Sequence, residues 1–343
     1  MSRSKKEKLI GNGSVKDAIR RFQTVGRIPN ALLFSGPEGV GKKQFALELA
    51  RSIVCRRPID TDACGECAAC QRVSGFEFPG TGAEGKEYDR VFFSRHPDVG
   101  MAVPFNRTLR VGSIRALEQE ANFRPYEASS RVFIIDDAHK MNDAAANALL
   151  KTLEEPPATS YIFLVTSKPD ALLQTIRSRS QILRFGPVLS VEIEHLLLTT
   201  HEYSQADARL VAAYSAGNVA AAIAAEPAAQ RERVELALAI LHAGVIDGDI
   251  VAMLRKAETV ADAKNKDDFE PFLDLLEAAI NLVWSARLGK AMTVDPEIAE
   301  LSSQADPLRL ASWITEIEEL RQTLGVNINR KVAVDALMVK LAA

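Results

Sequence analysis

Leu32-Leu33-Phe34-Ser35-Gly36-Pro37-Glu38-Gly39-Val40-Gly41-Lys42-Lys43 decides the fold. A short apolar run enters a Gly-x-x-x-x-Gly-Lys turn. Helical periodicity resumes from Gln44, with Phe45, Leu49 and Ile53 on one side. This is a Walker A phosphate loop in its strand–turn–helix setting. Its physics is anion cradling. Gly36, Gly39 and Gly41 let the backbone turn N–H groups inward, and the helix start adds partial positive charge. Lys42 is placed to meet the outer phosphates of a nucleotide. The plainer alternative is a glycine-rich turn used only for tight strand–helix packing. The next position breaks the pattern. Lys43 stands where Ser or Thr would offer Mg²⁺ a hydroxyl, and an ammonium has no lone pair for a metal.

On either side of the loop the chain has the make-up of a globular protein. It has 343 residues, 47% hydrophobic and 25% charged, with a formal net charge of −3. That suits two or three domains and gives no overall basic character for nucleic acid. Met1-Ser2-Arg3-Ser4-Lys5-Lys6-Glu7-Lys8 lacks the apolar core of a signal peptide, and no apolar run approaches transmembrane length. The expectation is a cytoplasmic protein without a membrane partner.

All four cysteines fall in one stretch: Cys55, Cys64, Cys67 and Cys70. The last three form Cys-x-x-Cys-x-x-Cys, with Gly65 in the turn. Thiolates at this spacing fold around one tetrahedral Zn²⁺, with Cys55 arriving from the end of the phosphate-loop helix. Four sulfur ligands would close the metal to substrate, so the site reads as structural. Disulfides are the alternative. They are disfavoured by the lack of an export signal, and a redox Cys-x-x-Cys would leave two thiols idle.

Along the chain, Val15–Val25 reads as a helix with Ser14 as N-cap, and Ala31–Ser35 as a strand. Gly75–Glu87 reads as a loop, Asp89–Phe93 and Leu109–Val111 as strands, and Ser113–Phe123 as a helix. Arg131–Ile135 is an apolar strand ending in Asp136 and Asp137, the Walker B arrangement. Asp136 would hold the metal's water shell. Asp137 stands where the related Asp-Glu pattern has Glu, one methylene longer, and is expected to be a poor base. A strand-end turn with solvated acids is the alternative. Asn142 is the expected N-cap of a helix stopped by Pro156-Pro157. Tyr161–Thr166 is a further buried strand. The Thr166 hydroxyl either touches a γ-phosphate or caps a turn. Ala171–Ile176 reads as a helix and Gln181–Phe185 as a strand.

Gly36 to Lys42, the cysteine knuckle, His96-Pro97-Asp98, the run Asn147-Ala148-Leu149-Leu150-Lys151-Thr152-Leu153-Glu154-Glu155-Pro156-Pro157 and Ser178-Arg179-Ser180 occur in that order. Together they resemble the AAA+ subunits of the bacterial DNA polymerase III clamp loader, strongly from Ile10 to about Val188 and more weakly beyond. The resemblance implies an α/β AAA+ parallel-sheet module with a zinc knuckle, a small helical lid and an all-α collar. The family has an ATP-hydrolysing gamma/tau type and a delta-prime type that generally works without hydrolysis. Three departures point to the second: Lys43, Asp137, and Ala220 in Gly217-Asn218-Val219-Ala220, where the family's Gly-x-x-Arg carries its sensor-2 arginine. The chain's length also suits that type. In the family, the arginine matching Arg179 enters a neighbouring subunit's ATP site, and Ser180 replaces a usual Cys. Without the resemblance, Arg179 would read as a surface arginine paired with an acid.

The resemblance therefore implies a stator-like subunit that helps load the sliding clamp onto primed DNA. Its partners would be gamma/tau and delta subunits, its metal a structural Zn²⁺, and its own ATPase activity weak or absent. ATP or ADP binding at Lys42 and Lys43 stays open. The rivals are an active gamma/tau-type motor and a degenerate scaffold unconnected with replication. The expected domains are 1–186 for the phosphate-loop module with its knuckle, 187–227 for the lid and 228–343 for the collar. In the collar, Phe269, Phe272, Leu273, Leu276, Ile280 and Val283 form one apolar stripe, and Val334, Leu337, Met338 and Leu341 another.

Overall fold

The computed structural model describes residues 9–80, 82–261, 269–289, 295–323 and 330–342. The segment Met1–Lys8, read above as no signal peptide, lies outside the described residues. The chain divides into two compact units. The first ends at Glu192 and adds Gly217–Ala220; the second holds Ile193–Ala216 and Ala221–Ala343.

The first unit is built on a six-stranded sheet. Its strands are β1 (Ala31–Ser35), β2 (Phe92–Phe93), β3 (Val99–Ala102), β4 (Arg131–Ile135), β5 (Ser160–Thr166) and β6 (Gln181–Arg184). The spatial order is β2-β3-β4-β5-β1-β6. Only β2 runs antiparallel to its neighbour; the other pairs are parallel. A parallel sheet needs cover on both faces, which is why β1, β4 and β5 read as continuous apolar runs. Side chains alternate between two cores. Leu32, Phe34, Ile134 and Phe163 pack against α2 (Lys42–Val54) on one face. Leu33, Phe133, Ile135 and Leu164 pack against α4 (Val111–Ala121) and α5 (Asp143–Glu154) on the other. The remaining helices of this unit are α1 (Gly13–Thr24), α3 (Ala68–Arg72) and α6 (Gln174–Ser178). Register places Ser35 opposite Thr166, so the β1–loop junction meets the end of β5.

Several expected boundaries shift, each for a local reason. Helix α1 starts at Gly13, and its N-cap is Asn12 rather than Ser14. The Asn12 side chain is used elsewhere, accepting from the Gly186 N–H at 2.8 Å. Val99–Ala102 is a strand that the sequence reading passed over. Leu109–Val111 is not one: Leu109 makes a single bridge to Met141, and Val111 already opens α4. Only Phe92 and Phe93 of the expected Asp89–Phe93 strand pair, because Asp89 turns to hold Arg110 at 2.7 Å. Helix α6 lies beyond Leu173, with a short 3₁₀ turn at Pro169–Ala171 before it. The Asn142 cap is present, its side chain accepting from the Ala145 N–H at 2.9 Å.

A buried ion pair fastens β4 to the turn before β3. Arg131 and Asp98 are both fully buried, 3.7 Å apart. The Asp98 carboxylate also accepts the N–H groups of Tyr126, Glu127 and Ala128 at 2.7–2.9 Å. Arg131 donates to the Glu120 carbonyl at 2.6 Å and to its carboxylate at 3.0 Å. Asp98→Ala is expected to destabilise this unit by about 3 kcal/mol, since it takes one of two carboxylates from a buried guanidinium and leaves three N–H groups without their acceptor. A urea unfolding curve of the variant, followed through the unit's own transition, checks it.

The second unit is helical. Its helices are α7 (Ser190–Thr200, which begins in the first unit), α8 (Gln205–Tyr214), α9 (Val219–Ala224, likewise shared), α10 (Pro227–His242), α11 (Ile250–Ala261), α12 (Phe269–Arg287), α13 (Pro296–Gln304), α14 (Pro307–Thr323) and α15 (Arg330–Ala342). Every residue of the two predicted stripes is buried here, on α12 and α15, around Trp313. Among the described residues, no helix is long and apolar enough to cross a membrane.

Candidate functional site

The phosphate loop joins β1 to α2, and its glycines are required by geometry. A Cβ at Gly36 would come within 2.4 Å of the Phe185 carbonyl oxygen. Gly39 has φ +72°, and a Cβ there would lie 1.6 Å from the Asn218 side-chain oxygen. Gly41, also left-handed at φ +93°, immediately precedes α2. Lys42 is nearly buried. Its Nζ donates to the Gly36 carbonyl at 2.8 Å and to that of Pro37, folding back on its own loop. Burial lowers its pKa below the usual lysine value; Glu38, Asp137 and Asp136 oppose that shift.

Lys43 points to the second motif. Its Nζ lies 2.9 Å from Asp136 Oδ2, so an ammonium sits on the acid that would serve a metal. Asp137 is similarly engaged, by Lys140 at 2.7 Å. Its backbone is left-handed at φ 46° and ψ 49°, a conformation that Asp tolerates better than longer side chains. The mouth thus opposes Lys42, Lys43 and Lys140 to Glu38, Asp136 and Asp137. To reach Asp136, Mg²⁺ would have to displace the Lys43 ammonium, and no hydroxyl follows Lys42 to offer it a further oxygen. Thr166 Oγ1 accepts the Lys168 N–H at 3.1 Å and meets His139 Nδ1 at 3.2 Å. Burial, against the pull of Asp137, holds His139 below its usual pKa. The segment Gly217–Ala220 closes on the loop, with the Ala220 N–H donating to the Gly39 carbonyl at 3.0 Å. The alanine predicted in place of the sensor-2 arginine therefore contributes a backbone donor.

The cysteines come together as the spacing predicts. Cys55 follows α2, Gly65 turns at φ +74°, and Cys67 caps α3. All four sulfurs lie within 4.8 Å of one another. The Cys55–Cys64 separation is 3.6 Å and the Cys64–Cys70 separation 3.9 Å. Four Zn–S bonds of about 2.3 Å put tetrahedral sulfurs about 3.8 Å apart, so the donor set fits zinc. The Cys64 thiol is held below its usual pKa, first by the Cys67 N–H aimed at its sulfur from 3.3 Å.

Arg179 stands apart, at the C-terminal end of α6. Its Nη1 donates to the Thr175 carbonyl at 3.1 Å, and its Nη2 meets Glu154 Oε1 at 2.8 Å. Glu154, Lys140 and His139 were not singled out from sequence. The Asp137–Lys140 spacing of three was a usable signal, whereas nothing local links Glu154 to Arg179.

These features define a P-loop α/β protein of the AAA+ kind with a four-cysteine knuckle. The family model described as DNA polymerase III, delta subunit, matches residues 11–188. The chain belongs to that family. It is 28% identical to DNA polymerase III subunit delta' of Escherichia coli over 92% of this chain and 90% of that one. It is 33% identical to subunit delta' of Bacillus subtilis over 63% of this chain and 56% of that one. Subunit tau of Salmonella typhimurium is 29% identical over 92% of this chain. The chain spans only about half of that tau subunit, 47%.

Proposed function

We propose that this chain is a non-motor, delta-prime-type subunit of a clamp loader. In this reading it assembles with gamma/tau and delta subunits in the cytoplasm and helps place the sliding clamp on primed DNA. Zn²⁺ at Cys55, Cys64, Cys67 and Cys70 holds the knuckle together. Arg179 enters a neighbour's ATP site, where an arginine supplied in trans stabilises charge on the transferring phosphoryl group.

One observation carries the reading: the 2.9 Å Lys43–Asp136 ion pair. Phosphoryl transfer is almost wholly positioning and charge, with the metal neutralising the developing negative oxygens. An ammonium paired with the metal's acid opposes that component. The charges at the mouth are already matched among themselves, which leaves little attraction for a triphosphate. The isolated chain is therefore expected to show no steady ATP turnover. Any ATP binding seen by isothermal titration is expected to be the same with Mg²⁺ as with EDTA. Robust Mg²⁺-dependent turnover would favour the gamma/tau-type motor instead.

A further inference from the structure

We infer that Glu154 is a positioning residue for Arg179, fixing the direction in which the guanidinium leaves the surface. The inference rests on the proposed role of Arg179 in a neighbour's site.

Helix α5 ends at Glu154 and is followed by Glu155-Pro156-Pro157. A helix C-terminus carries partial negative charge, so two adjacent carboxylates there are locally unfavourable. Lys151 is the one basic residue in that last turn. Where a sequence breaks a local rule, a gain elsewhere is expected, and here Glu154 reaches across to Arg179 Nη2 at 2.8 Å.

The Arg179 side chain is long and partly exposed, with several rotatable bonds to order. Two contacts restrain it from different sides. Nη1 is held by the Thr175 carbonyl of its own helix, and Nη2 by a carboxylate from α5. The nearby Arg177 does not compete for Glu154, because it pairs with Asp170 at 2.7 Å. An ion pair this exposed adds little stability. Its consequence is orientation. A guanidinium already aimed loses less freedom on entering a partner's site, and catalysis is sensitive to displacements of about 1 Å.

The test uses the reconstituted loader with E154A, E154D, R179A and the double variant, each checked for normal assembly by size exclusion. Single-turnover hydrolysis reads the ATP site next to this subunit, and nucleotide titration reads its affinity. E154A is expected to slow that phase about tenfold with affinity unchanged, within the range that misplacement produces. E154D, one methylene shorter, should recover part of the loss. The double variant should be no slower than R179A alone. A normal rate in E154A beside a slow R179A overturns the inference and leaves the arginine's role standing. A faster rate in E154A also overturns it, since Glu154 would then be parking the arginine away from the site. Additive losses in the double variant overturn it too. If R179A itself hydrolyses at the normal rate, the proposed role of Arg179 fails and the inference falls with it.

Discussion

Arg179→Ala is expected to slow ATP hydrolysis at the adjoining site of an assembled loader by about 10³-fold, the lower end of what a trans arginine contributes. The effect should be confined to that site. In a single-turnover experiment it appears as one slow phase, while sites fed by other subunits keep their rate. Assembly should be unaffected, because Arg179 is partly exposed and among the described residues its guanidinium bonds to a carbonyl of its own helix and to the half-exposed Glu154. Arg179→Lys should not rescue. Lysine offers a point charge where the guanidinium offers a planar fork able to span two phosphate oxygens. A lysine variant as active as the original would show that charge alone is needed at this position.

The contrast between the two halves of this assignment has a physical basis. At the chain's own phosphate loop, each basic side chain has a partner within the protein: Lys42 its loop carbonyls, Lys43 Asp136, and Lys140 Asp137. At α6 the arginine is tied by partners that water can reach. A ligand at the first place must therefore displace Lys43 and Lys140 from carboxylates and the buried Lys42 from its loop carbonyls, whereas at the second Arg179 has only to leave Glu154 and one helix carbonyl.

The motifs were legible in sequence because they are local. Gly36 to Lys43, Asn142 with its helix, and the Cys-x-x-Cys-x-x-Cys run each carry their geometry within a dozen residues. The stripes of α12 and α15 were legible because helical periodicity survives burial. Strand β3 was missed because Val99-Gly100-Met101-Ala102 is short, contains glycine and shows no alternation, being buried on both faces. Leu109–Val111 was misread because its β-type residues announce a strand, whereas its backbone groups are used to bridge Met141 and to start α4. The decisive contacts of the site were illegible for another reason. Lys43 and Asp136 are 93 residues apart, and only the β1-β5-β4 order of the sheet brings them together. Glu154 and Arg179 meet across two different helices.

Removing the knuckle's metal is expected to have the second large effect, on stability. Cys64, Cys67 and Cys70 are buried, and their cluster includes Val54, Ala63, Ala69 and Val73 beside the sheet core. The segment has little regular structure to hold it otherwise. Between α2 and Val73 the described residues give one five-residue helix and a single Ile59–Asp62 bridge. Its backbone cannot supply the free energy that four metal–sulfur bonds would, and zinc binding in such small elements is folding free energy. The purified protein should therefore carry about one zinc per chain by elemental analysis. Cys70→Ser should lose it and melt about 10 °C lower, at about 2–4 °C per kcal/mol for a unit of this size. Cys55→Ser should cost less, because Cys55 is the most exposed of the four and water can take its place on the metal. Thiol titration separates the rival pairing. After chelation and unfolding without reductant, four reactive thiols exclude disulfides, leaving the zinc content to decide for the metal, and none mean two disulfides. A zinc-free protein with four free thiols and an unchanged melting point would show that apolar packing alone holds the knuckle, and the 3.6 Å and 3.9 Å sulfur separations would then be a consequence of that packing.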